Sequence, residues 1–190
     1  VPLNNQENKA AMKNALVIGL LVVLGGCASQ PCDQPGSDSA CRAERLLYQN
    51  DLLQAKILIS IGDENGYELA EALLERSARL DDRGETEFYH ALLLIRQGPQ
   101  AEQVLHLLEQ ARAKGHPHAV ALLYKIHQDP YLVNERNAVK AEQYRQAYAG
   151  LDVAQSGYPS FDKALELVSQ LVEPPPPLPE RDDPCVNRCL

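Results

Sequence analysis

Residues 117–150 read PHAVALLYKIHQDPYLVNERNAVKAEQYRQAYAG, and this stretch decides the fold. After Pro117, Ala119 to Ile126 is apolar at helical rather than alternating spacing. Asp129-Pro130 breaks that run. A second helical run carrying Val139, Ala141, Tyr144 and Tyr148 follows and stops at Gly150. Glycine just past a helix end takes the left-handed conformation with little strain, so it is a natural stop. The stretch is one helix–turn–helix unit.

The same punctuation recurs toward the N-terminus. Gly84, Gly115 and Gly150 each close an alanine-containing helical run, at separations of 31 and 35 residues. Between them lie weaker breaks at Gly62-Asp63-Glu64-Asn65-Gly66, Gly98-Pro99 and Asp129-Pro130. Self-similarity at a period in the thirties predicts an all-α protein, an α-solenoid of about three helix–turn–helix repeats. Helices are expected over 42–61, 66–81, 85–97, 100–114, 117–128, 136–149 and 161–172. Inward stripes are expected from Leu69, Leu73, Leu74 and Leu80, then Val104, Leu105, Leu108 and Ala111, then Val139, Tyr144 and Tyr148. No unit can bury its face alone, so stacked neighbours make the core. Ser160 before Phe161-Asp162 is the expected N-cap of a last helix that closes the array. The one strand-like run, Ile57 to Ile61, has helical flanks.

Ala119-Val-Ala-Leu-Leu-Tyr-Lys-Ile, Asp129-Pro-Tyr-Leu-Val133, Lys140-Ala141-Glu-Gln-Tyr144-Arg-Gln-Ala147 and Gly150 together resemble a Sel-like repeat. Tyr144 stands where that family usually has Trp or Tyr. Ala91, Leu94, Leu108, Ala111 and Gly115 look like a degenerate copy without the Lys-Ala pair, and Leu53 to Gly84 like a fainter one. The resemblance spans about 100 residues and implies a solenoid of the kind that binds partner proteins. Tetratricopeptide repeats are the rival, and the unequal spacing favours the Sel-like reading.

The N-terminal part carries a different signal. Met12 to Cys27 reads MKNALVIGLLVVLGGC. Its apolar run, Ala15 to Leu24, is too short for a span of ~20 residues and has the length of a signal-peptide core. Leu24-Gly25-Gly26-Cys27 resembles the lipobox of bacterial lipoproteins. That resemblance implies cleavage before Cys27, acylation of Cys27, and, with Ala28 following, an outer-membrane lipoprotein facing the periplasm. Residues 1–11 are polar and precede a plausible start, and are set aside as an upstream non-native or misannotated segment. The organisation expected is 12–26 signal peptide, 27–41 lipidated cysteine and tether, 42–172 repeat solenoid, and 173–190 proline-rich arm. Pro174 to Pro177 favours extended polyproline II.

Residues 1–26 hold Lys9, Lys13 and Glu7, so the mature chain keeps 16 basic and 25 acidic residues, a net of about −9. That argues against phosphate-driven nucleic-acid binding and is compatible with a basic protein partner. With Cys27 acylated, Cys32, Cys41, Cys185 and Cys189 remain, an even number in an oxidising compartment. A disulfide needs Cα atoms within roughly 7 Å. In an elongated array that favours local pairs, Cys32 with Cys41 and Cys185 with Cys189.

No phosphate loop, HExxH or GxSxG is present. His116-Pro117-His118 offers two nitrogens, but proline at a helix start is ordinary N1 chemistry. No metal, cofactor or catalytic residue is expected. Some cysteine-rich Sel-like proteins have been described as hydrolases, and their cysteine pairs within each repeat are missing here: residues 42–184 contain none. The function expected is protein binding. The resemblance implies either an immunity protein for a secreted antibacterial toxin, such as a type VI secretion phospholipase effector, or an assembly scaffold for an outer-membrane or exopolysaccharide export complex. Expected contacts are Tyr67, Tyr89, Tyr124, Tyr131 and Tyr144, since tyrosine is enriched at interface hot spots. An acidic docking patch is expected from Asp81, Asp82, Glu85 and Glu87.

Overall fold

The computed structural model describes residues 39–98, 100–129 and 131–173. The chain divides into two compact units, Val1–Arg42 and Ala43–Leu190. The expected signal peptide, Cys27, Cys32, the tether up to residue 38, and the arm beyond Glu173 with Cys185 and Cys189 lie outside the described residues. Cys41 is disulfide-bonded, and its partner also lies outside them.

Every element among the described residues is helical. In chain order these are α1 (Ser39–Ile61), α2 (Tyr67–Ser77), α3 (Glu85–Gln97), α4 (Ala101–Ala113), α5 (Pro117–Gln128), α6 (Ala138–Ala149), α7 (Asp152–Ser156) and α8 (Phe161–Val172). Single 3-10 turns, Glu64–Gly66 and Ala78–Leu80, flank α2. None of the described helices is long and apolar enough to cross a membrane.

Local chemistry accounts for the helix ends. Asp63 caps the first 3-10 turn through the Asn65 amide, Asn137 caps α6 through Lys140, and Ser160 caps α8 through Lys163, as expected for that serine. The α4–α5 corner is a Schellman motif: Gly115 is left-handed (φ 82), its N–H donates to Arg112 O, and His116 N–H donates to Ala111 O. His116 then caps α5 with its ring, Nδ1 accepting from Ala119 N at 3.2 Å, and Pro117 follows at N1. Of the three expected glycine stops, only Gly115 works that way. Gly84 is left-handed (φ 76) but is the N-cap of α3, and Gly150 has an ordinary right-handed conformation (φ −83). The short α7 was not foreseen, because five residues show no period.

Consecutive helices pack on each other from α2 to α6, and α8 packs on α5 with further contacts to α3 and α6. Helix α5 lies at the centre. Ala119, Val120, Ala121, Leu122 and Leu123 are all fully buried, a run with no solvent face. Val104, Leu108 and Ala111 of α4 are fully buried in the same core as α5, with Leu105, the fourth residue of the expected stripe, only partly buried; Ala164 and Val168 of α8 are likewise in the core. Arg96 of α3 donates to Leu171 O, satisfying one of the free carbonyls at the end of α8.

Two stripe residues are corrected. Leu69 and Val139 are exposed. The buried face of α2 is Tyr67, Ala70, Leu73, Leu74 and Ser77; at ~100° per residue Leu69 falls roughly 100° from its centre. The buried face of α6 is Ala141, Tyr144 and Tyr148, and Val139 lies about half a turn away. Helix α1 differs from both: it is apolar on two opposite sides. Leu52, Ala55 and Ile59 join the core, while Leu46, Leu53, Ile57 and Ile61 stay exposed.

Candidate protein-binding surface

The acidic residues near the α2–α3 corner are mostly engaged within the fold. Asp81 is buried, and its carboxylate accepts from Thr86 N at 2.7 Å, Arg83 N at 3.0 Å and the Tyr48 hydroxyl at 3.3 Å. Against its own burial, the amides of Thr86 and Arg83 hold the carboxyl below its ordinary range. Burial and the Asp81 charge push the Tyr48 phenol up. Glu87 pairs with Lys114, whose ammonium also donates to Asp81 O. Glu85 pairs with Lys56 at 2.6 Å. Only Asp82 is left wholly exposed, 3.9 Å from Arg83. Asp81, Glu85 and Glu87 tie α1, α3 and the α4–α5 corner together, so these three are not free to dock a basic partner.

Behind Glu85 lies an aromatic and imidazole cluster. Phe88 is fully buried and stacks on His116 at 4.6 Å, with Tyr89 edge-on at 5.3 Å and His118 at 6.0 Å. Lys56 sits 4.6 Å over the Tyr89 ring, a cation–π contact. Because His116 Nδ1 accepts a hydrogen bond, its ring proton is on Nε2, 3.9 Å from Glu85 Oε1. That distance is an electrostatic contact rather than a hydrogen bond. His116 and Lys56 outweigh burial and hold the Glu85 carboxyl down at about 2. Burial, then the neighbouring His116, lowers His118 to about 4.

These shifts predict a pH dependence of stability. His118 takes up a proton near 6.5 when unfolded but only near 4 when folded. The unfolded state therefore binds more protons across that window, and stability falls as pH drops through it. Glu85 is protonated near 4.5 unfolded and near 2 folded, so its contribution is present above 4.5 and lost toward 2. Both act in the same direction. Urea midpoints of the wild type should fall steadily from pH 7 to 3. His118→Gln should remove about 1–2 kcal/mol of the fall between pH 6.5 and 4, allowing for partial solvent screening. An unchanged slope in that variant would assign the titration to another group.

The expected tyrosine contacts separate into two sets. Tyr67 and Tyr144 are core residues; Tyr144 donates to Glu109 and stacks on His127 at 5.7 Å. Burial removes both from any partner surface. Tyr89 and Tyr124 are half-buried, Tyr124 with its ring edge-on to Phe161 at 5.0 Å, and Tyr131 is exposed.

Among the described residues, two open concavities bear on binding. A cleft of about 330 Å³ lies between α1 and the α2 end, lined by Glu44, Leu47, Tyr48, Asp51, Arg76 and Arg79 among others. Its polar centre is already paired: Arg76 Nε donates to the buried Asp51 Oδ2 at 2.6 Å, with a second bond from Nη2 to Oδ1. The Arg76 guanidinium holds the Asp51 carboxyl below its usual range. The larger groove, about 580 Å³, runs between α3 and α4 and is lined by His90, Leu94, Glu102, Gln103, His106 and Leu107. It has two leucines at its base and a polar rim. None of these residues is a contact expected from the sequence, because the groove depends on how α3 and α4 pack.

The described residues define an all-helical fold with an open groove, apolar at Leu94 and Leu107 and polar at its rim. Among the described residues no group of three or more His, Cys, Asp or Glu is placed to hold a metal ion. Comparison with known family models, curated proteins and solved structures finds no match.

Proposed function

We propose that this chain is a periplasm-facing, lipid-anchored protein that binds another protein through its helical domain. In this reading residues 42–172 are a short Sel-like solenoid. The paired helices α3–α4 and α5–α6, joined by α4–α5 packing, and Tyr144 at the family's aromatic position support it. The observation that carries the binding role is the α3–α4 groove. Its apolar base, Leu94 and Leu107, and polar rim, His90, Glu102, Gln103 and His106, have the make-up of a protein interface, an apolar centre inside a hydrated edge. The function that best suits a small exported binder is immunity: one-to-one inhibition of a secreted antibacterial toxin.

The test is recovery of partners from the native cell with tagged residues 28–190, identified by mass spectrometry. A single secreted toxin, bound one-to-one and inhibited, is the expected result. Resident envelope subunits would make the protein an assembly scaffold instead, and recovery of no protein would remove the reading. Gln103→Arg and His106→Glu, both at exposed rim positions, should each weaken binding about tenfold, roughly 1.4 kcal/mol, without changing the unfolding midpoint. Full affinity in both variants would move the contact away from the groove.

A further inference from the structure

Helix α1 has an outer face that nothing in the described fold covers. Leu46, Leu47, Leu53, Ile57 and Ile61 are between 47 and 59% exposed. The opposite side, Leu52, Ala55 and Ile59, is already buried in the core. A helix apolar on both sides is one buried on both sides. The outer stripe runs over residues 43–61, ~27 Å at 1.5 Å per residue.

The stripe has a register. With Ile57 at position a of a heptad, the a positions are Ala43, Asn50 and Ile57, and the d positions are Leu46, Leu53 and Ser60. A β-branched residue at a, leucine at d and a single asparagine at a is the pattern of a parallel two-stranded coiled coil. Ser60 is satisfied locally, donating to Lys56 O at 2.7 Å.

We propose that this face is a homodimer interface, in which two α1 helices pack parallel and in register about a two-fold axis, with Asn50 facing Asn50 of the partner subunit. Charge favours a second copy over a basic foreign protein. The residues that flank the seam are Gln49 and Lys56 on one side and Leu47, Gln54 and Ile61 on the other, with no carboxylate among them. Lys56 already has Glu85 as its counter-ion. In a parallel pair Gln49 faces Gln54 of the partner subunit, and Lys56 faces Ile61 of the partner subunit, so no like charges meet. An antiparallel pair would instead bring the two Lys56-bearing edges together. Five half-exposed apolar side chains, with Gln49, Asn50 and Gln54 beside them, make a seam smaller than the ~800 Å² per partner of a standard interface. A coiled coil of under three heptads is weak in isolation. Here the C-terminal half of α1 is ordered beforehand by its inner face, Leu52, Ala55 and Ile59, so pairing extends a helix that is already started. The interface is separate from the α3–α4 groove and does not depend on it.

The test is sedimentation of the full chain together with cysteine cross-linking. The wild type should sediment at twice the chain mass at tens of micromolar. Leu53→Asp should raise the dimer dissociation constant at least roughly 100-fold by burying two carboxylates in the seam. Because Leu53 is exposed in the single chain, that variant should keep the wild-type helix content. Asn50→Cys should give a covalent dimer on mild oxidation, while Asp82→Cys, away from α1, should not. A wild-type chain that is monomeric, or a dimer that survives Leu53→Asp, overturns the proposal. A dimer that joins through Leu47→Cys and Ile61→Cys in combination but not through Asn50→Cys overturns the parallel register.

Discussion

Gly84→Ala should destabilise the domain by about 2–4 kcal/mol, enough to lower the unfolding midpoint by roughly 10 °C in a domain of this size. Two independent penalties meet at this position. Gly84 has φ +76, where an alanine is strained by about 1 kcal/mol. A Cβ there would also lie 2.8 Å from both the Cα and the O of Ala111. Those are backbone atoms of α4, and Ala111 itself is fully buried, so nothing flexible can move aside. Relief requires α3 and α4 to separate at the place where the Lys114–Glu87 pair joins them. Gly115→Ala and Gly157→Ala are the controls: both are left-handed, at φ +82 and +79, but a Cβ at either meets nothing within 4 Å. They should show the conformational penalty alone, about 1 kcal/mol. Denaturant unfolding of the three variants separates the two contributions. Equal losses in all three would mean that the close α3–α4 approach is not present in solution.

The contrast between Gly84 and Gly115 shows what sequence can and cannot state. Both glycines mark a break in an apolar period, and the helices on either side were legible to within a few residues. Which helix each glycine serves was not legible. That depends on Asp81, whose side chain reaches forward to the Thr86 amide and makes the α2–α3 corner a cap for α3. The acidic patch failed as a free surface for a related reason. Lys56 lies 29 residues before Glu85, and Lys114 lies 27 residues after Glu87. Charge counted along the chain cannot see partners at that distance. The tyrosines repeat the lesson: Tyr144 and Tyr131 are the same residue type 13 positions apart, and only packing decides that one is core and the other exposed.

The outer face of α1 is the opposite case. Periodicity alone gives one helix over 42–61 with apolar residues at many angles. It cannot say which of two stripes faces inward. The structure assigns Leu52, Ala55 and Ile59 to the core, and that assignment is what makes Leu46, Leu53 and Ile57 a question. A sequence search limited to repeat-like helices passes over the heptad, because a heptad has meaning only on a face that the domain leaves open.

Phe88→Ala should cost about 3–5 kcal/mol, the range of a fully enclosed aromatic truncation. Phe88 sits where three elements converge, with no exposed atoms. Its ring lies against His116 and Tyr89, so removal leaves a cavity walled by groups with other duties. His116 is the important neighbour. Its Nδ1 accepts the Ala119 amide and starts α5, and α5 carries the fully buried run Ala119 to Leu123. The loss should therefore spread from the cavity into the first turn of α5. Hydrogen exchange tests this directly: the Ala119 amide should lose protection in Phe88→Ala, beyond what the lower global stability explains, while the Ala164 amide in α8 should track global stability only. Phe88→Leu keeps most of the volume and should cost under about 2 kcal/mol with Ala119 still protected. A loss below about 1.5 kcal/mol for Phe88→Ala would mean that the cluster collapses without cost. Unchanged exchange at Ala119 would mean that His116 holds the cap without the ring stacked on it. If both results come out as expected, the first turn of α5 is held through a side chain of α3, and the two paired-helix units are one cooperative body, not two that fold separately.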